Sequence, residues 1–76
     1  MSKDELAEGV AAKVTRLLKE TDRSVSWLAR KTGIPYNTLR NQLTRNPRTL
    51  SIAHAIVIAD ALEVPLSELA PEAVAA

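Results

Sequence analysis

The chain has 76 residues, no cysteine, 25% charged residues and a formal net charge of +1. One domain near the lower limit of unaided folding is expected, and disulfides and thiolate metal sites are excluded. No apolar run approaches the ~20 residues that span a bilayer, and the polar, acidic start MSKDELAEG is unlike a secretory signal, so a cytoplasmic protein is expected.

The distribution of charge says more than its total. Residues 1–22 carry four basic and five acidic side chains, and residues 60–76 carry four acidic and no basic ones. Between them, residues 23–59 hold six cations (Arg23, Arg30, Lys31, Arg40, Arg45, Arg48) and no carboxylate. A solvated helical face normally mixes both signs. A long stretch without an acid suits a polyanion, because each Lys or Arg beside a phosphate releases condensed counterions.

In chain order, Ser2 and Glu5 form a capping-box pattern that starts a first helix near Lys3. Leu6, Val10, Val14, Leu17 and Leu18 recur on one stripe, and the helix ends around Glu20 to Asp22. Gly9 inside it marks either close packing or a tolerated weakness of roughly 1 kcal/mol. Ser24 caps a second helix with Val25, Leu28 and Ala29 inward and Trp27 half-buried. That helix stops at Gly33, where a left-handed residue suits a helix C-terminus. Pro35 suits the first turn of a third helix, running from Pro35 or Tyr36 to Leu43 or Thr44. Ile34, Leu39 and Leu43 point inward. Tyr36, Asn37, Arg40, Asn41 and Thr44 are left outside, an outer face rich in hydrogen-bonding groups with no carboxylate.

After the polar loop TRNPRT, Ser51 caps a fourth helix that runs to about Glu63, with Ile52, Ala55, Ile58, Ala59 and Leu62 on one face. The opposite side carries Ala53, Ile56, Val57 and Ala61 where polar residues belong. Either this helix is buried nearly all round or its outer face meets another protein, and so short a chain can hardly surround it. Ala53, Ile56 and Val57 are therefore candidates for a dimer or partner interface. Leu66–Leu69 adds one turn of a fifth helix, closed by Pro71, and 71–76 reads as a short tail. With one histidine, His54, expected as an exposed first-turn residue, no catalytic centre assembles: Asp60 lies off its helical face. Neither enzyme activity nor a cofactor or metal is expected.

Leu28–Ala29, Gly33–Ile34 and Leu39 stand at offsets that let two short helices cross closely: small Ala29 at the crossing, Gly33 in the turn, Ile34 and Leu39 as pins. With the preceding helix and SIAHAIVIADALEVPLSELA after it, the pattern resembles the helix-turn-helix of lambda-repressor-like and Cro-type (xenobiotic-response-element-type) proteins. The resemblance covers residues 3–70. It implies an all-α, five-helix bundle over residues 1–70, with the helix-turn-helix at 24–43. The chain departs from the pattern at Val25 (often glutamine), at Gln42 (usually apolar, with Leu43 anchoring instead) and in lacking a glycine after the third helix.

The resemblance implies a transcriptional regulator of double-stranded DNA, of bacterial or phage repressor or Cro kind, with the third helix in the major groove. Tyr36, Asn37, Arg40 and Asn41 then lie at base edges, where asparagine suits adenine and arginine suits guanine. Ser24, Ser26, Thr38, Arg45, Arg48 and Thr49 are the phosphate candidates, and Arg23, Arg30 and Lys31 add diffuse field. A homodimer would read a palindromic operator with half-sites about one helical turn apart. No second domain is expected to follow, hence no small-molecule ligand. The alternative is an antitoxin that binds its own operator and also docks a toxin through the fourth helix.

Overall fold

The computed structural model describes residues 3–70, so Ser2 of the expected capping box and the expected tail 71–76 lie outside the described residues. Within them the chain is helical without strands. Helix α1 spans Lys3–Glu20, α2 Val25–Thr32, α3 Tyr36–Arg40, α4 Ile52–Ala61 and α5 Leu66–Leu69. Between α3 and α4 the chain makes a π turn, Asn41–Arg45, and a 3-10 turn, Pro47–Thr49. The five-helix expectation holds, with the third helix ending in a wider turn than periodicity alone suggests.

Each helix stops for a local reason. After α1 and α4 the chain turns through Asp22 and Glu63, both left-handed at φ 58°. The next amide then reaches back to close the end, Arg23 N–H to the Leu18 carbonyl (2.8 Å) and Val64 N–H to the Ala59 carbonyl (3.0 Å). Gly33 does the same for α2 at φ 80°, its N–H donating to the Ala29 carbonyl. The Thr32 hydroxyl reinforces this turn by donating to the Leu28 carbonyl (2.8 Å) and accepting from the Ile34 N–H (3.2 Å). Ser24 and Ser51 cap α2 and α4, accepting from Trp27 N–H (3.0 Å) and His54 N–H (3.2 Å).

One apolar core draws on every helix, and Val14, Leu28, Leu39, Ile58 and Leu69 are its most deeply buried large side chains. Helix α1 lies across the π and 3-10 turns and also meets α4 and α5, while α2 packs between α3 and α4. Arg48 forms an ion pair with Glu8, fastening the 3-10 turn to α1 at the surface.

Three side chains sit elsewhere than their periodicity implies. Ile52, expected inward, is 57% exposed, because the space between the starts of α1 and α4 is an open apolar groove lined by Leu6, Val10, Leu50 and Ala55. Ala61, expected outward, is buried where α2 and α5 flank the last turn of α4. His54 is half-buried, not exposed, because its ring bonds to the buried side chain of Gln42.

Gly9 is exposed and a Cβ added there would meet nothing within 4 Å, so the close-packing reading fails. Gly9→Ala is expected to raise stability by about 0.5–1 kcal/mol, because alanine loses less backbone entropy in a helix interior. A chemical-denaturation midpoint that did not rise would contradict an ordered α1 at that turn.

Candidate nucleic-acid interface

The outer face of α3 is built by subtraction. Leu39, 0% exposed, is locked into the core. At about 100° per residue, Asn37 and Asn41 then stand nearly opposite it, with Tyr36 and Arg40 beside them. Tyr36 is 44% exposed, and Asn37, Thr38, Arg40 and Asn41 are exposed as well. None of their side chains hydrogen-bonds to another described residue. The four residues expected at base edges are thus brought together on one surface, with their donors and acceptors unspent.

The phosphate candidates divide. Ser26 is exposed in the first turn of α2, beside exposed Ser24, whose oxygen accepts the cap bond from Trp27 N–H and whose O–H makes no bond within the helix. Both sit at the positive end of the α2 dipole. Thr38 and Arg45 are exposed. Arg48 is exposed but already neutralised in part by Glu8. Thr49 differs: its N–H (3.0 Å) and its hydroxyl (2.7 Å) both donate to the Asn46 carbonyl and close the loop.

The remaining cations are not equivalent. The Arg23 guanidinium lies 4.2 Å over the Trp27 ring, a cation–π contact that holds both in place. Lys31 lines a cleft with Val57, Asp60 and Glu63, so carboxylates share its surroundings. Arg30, like Lys31, stands in the last turn of α2.

Periodicity also missed one contact. Gln42, 9% exposed, is the buried polar residue of the core, and its Oε1 lies 2.8 Å from Nδ1 of His54 on the first turn of α4. The amide oxygen only accepts, so Nδ1 carries the proton of this bond. The available signal was a polar residue standing where an apolar one belongs. Its partner lay twelve residues on in another helix, and no spacing rule connects the two.

Among the described residues no group of three His, Asp or Glu side chains is placed to hold a metal ion, and no helix is long and apolar enough to cross a membrane.

The family model of a Cro/C1-type HTH DNA-binding domain aligns with residues 13–70. No curated protein and no solved structure matches the chain.

Proposed function

Because the chain belongs to the Cro/C1-type helix-turn-helix DNA-binding domains, we propose that it is a sequence-specific transcriptional regulator, a bacterial or phage repressor of Cro-like kind working in the cytoplasm. In this reading α3 enters the major groove of operator DNA. The observation that carries the reading is the outer face of α3, where Asn37, Arg40 and Asn41 stand exposed with no partner among the described residues, inside a stretch free of carboxylates. Asn37 and Arg40 are the leading base readers, adenine for the amide and guanine for the guanidinium, with Asn41 next and Tyr36 at the edge. Ser24, Ser26, Thr38, Arg45 and Arg48 grip the backbone and set register. In vitro selection of bound duplexes from a random pool tests this: a defined consensus is expected, and enrichment of no sequence would overturn it.

The exposed side of α4 supports a homodimer. Ile56 is 52% and Val57 40% exposed, Ala53 lies exposed beside them, and no described residue covers this face. A two-fold contact there would pair two copies of α3 and make the selected consensus a palindrome. Val57→Glu is expected to turn the dimer into a monomer in sedimentation and to weaken binding to the palindrome more than to its half-site. Unchanged sedimentation would sink this assignment. The same apolar face favours one second reading, an antitoxin docking a toxin, which predicts a chain that sediments as a monomer alone.

A further inference from the structure

We infer that His54 is a positioning residue for the DNA-reading surface: through Gln42 it holds the π turn that brings Arg45 into line with Asn37 and Asn41. This rests on the reading of α3 as the recognition helix.

The π turn is defined by the Asn46 N–H, which donates to the Asn41 carbonyl at 2.7 Å, one residue further back than an α-helical bond. Such a closure spends an extra residue on the turn, so the residues after it lag the α-helical phase by up to about 100°. Continued as an α-helix, the segment would carry Asn46 round to the core side with Leu39 and Leu43, and would swing Arg45 away from the Asn37–Asn41 line toward the Thr38 flank. The lag reverses both. Asn46 is exposed and its carbonyl holds Thr49, while Arg45, also exposed, takes the phase of the outer face.

π turns are rare, single-turn insertions at α-helices, and in this chain residues within the turn are anchored from outside it. Here two adjacent residues are fixed inward. Leu43 is held by the core, and Gln42 by the bond from His54 Nδ1. With both anchored, and with Asn46 held out of α geometry ahead of Pro47 (φ −140°, ψ 71°), the additional residue is absorbed in Thr44–Asn46. Thr44 fits that account, since its hydroxyl donates to the Arg40 carbonyl at 2.7 Å and ties the widened turn to the end of α3. His54 also stands one residue after Ala53 on α4, so the helix whose outer side is proposed to meet a second copy is the helix that sets the end of the reading surface.

Two substitutions separate this role from mere stability. In His54→Asn the side-chain amide nitrogen occupies the place of Nδ1 and still donates to Gln42. In His54→Leu the bulk remains and the donor is gone. The first readout is made on the DNA-free protein, as the NMR scalar coupling across the hydrogen bond from Asn46 N to the Asn41 carbonyl carbon. Native protein and His54→Asn are expected to show it; His54→Leu is expected to lose it. The second readout is the effect of Arg45→Ala on binding to the duplex recovered by selection, measured in both backgrounds as a double-mutant cycle. The loss is expected to be about fivefold in the native background and less than about twofold beside His54→Leu. If His54→Leu does not fold, His54→Ala, which admits water to Gln42, takes its place. Persistence of the coupling without the donor, its absence from His54→Asn, or an equal Arg45→Ala effect in both backgrounds overturns the proposal. Because the coupling needs no DNA, a failed DNA reading appears separately, as no selected duplex at all.

Discussion

Leu39→Ala is expected to destabilise the protein by about 2–5 kcal/mol, the cost of removing a fully buried leucine and leaving its cavity. A domain of this length holds roughly 4–11 kcal/mol in all, so the variant should be marginally folded or unfolded at physiological temperature. Leu39 is 0% exposed and stands between the turn at Gly33 and the π turn. Thermal melting should shift down by about 4–8 °C for each kcal/mol lost. In urea the midpoint should fall with the slope unchanged, because the same surface is exposed on unfolding. A loss below about 1 kcal/mol would contradict the placement of Leu39 at the centre of the core.

One residue further on, the expected outcome reverses. Arg40 is exposed and bonded to no described residue, so Arg40→Ala should leave the melting temperature nearly unchanged. Its effect should appear in binding: a loss of about 1–3 kcal/mol on the selected duplex, with preference relaxed at a single base pair. Arg48→Ala is the comparison, since a phosphate contact contributes alike to every sequence and its removal should lower the salt dependence of binding. If Arg40→Ala weakened selected and scrambled duplexes to the same degree, Arg40 would be a backbone contact and the base-reading role would fall to Asn37 and Asn41. Two adjacent side chains thus report separately on the fold and on the site, because helical phase sends one to the core and the other to solvent.

Much of this division was legible in the amino-acid sequence, for local physical reasons. Ser24 and Ser51 before apolar periodicity mark helix starts, and Gly33 marks a left-handed stop, because caps and turns are made by residues next to one another. Leu28, Leu39, Leu43 and Ile58 were assigned inward by spacing alone and are buried. The carboxylate-free stretch and the polar outer face of α3 were readable in the same way. Family membership over residues 13–70 agrees with the reading that those offsets imply.

What spacing could not supply was the effect of partners distant in the chain. Ile52 keeps the helical phase of a core residue, yet it is exposed because α1 leaves a groove open beside it. Ala61 has an outward phase but is buried where α2 and α5 flank the end of α4. Arg48 pairs with Glu8, forty residues away, and Thr49 hydrogen-bonds within the loop it closes. The sequence by itself determined five helices, the capped starts of α2 and α4, the stop at Gly33, the inner face of α3 and the sign of charge around it, since each depends on residues within about one or two turns of each other. Only the tertiary structure decided the width of the turn at Asn41–Arg45 and the bond from His54 to Gln42. Burying a polar side chain is costly without a partner, and in this chain the partner comes from a helix that only packing brings alongside.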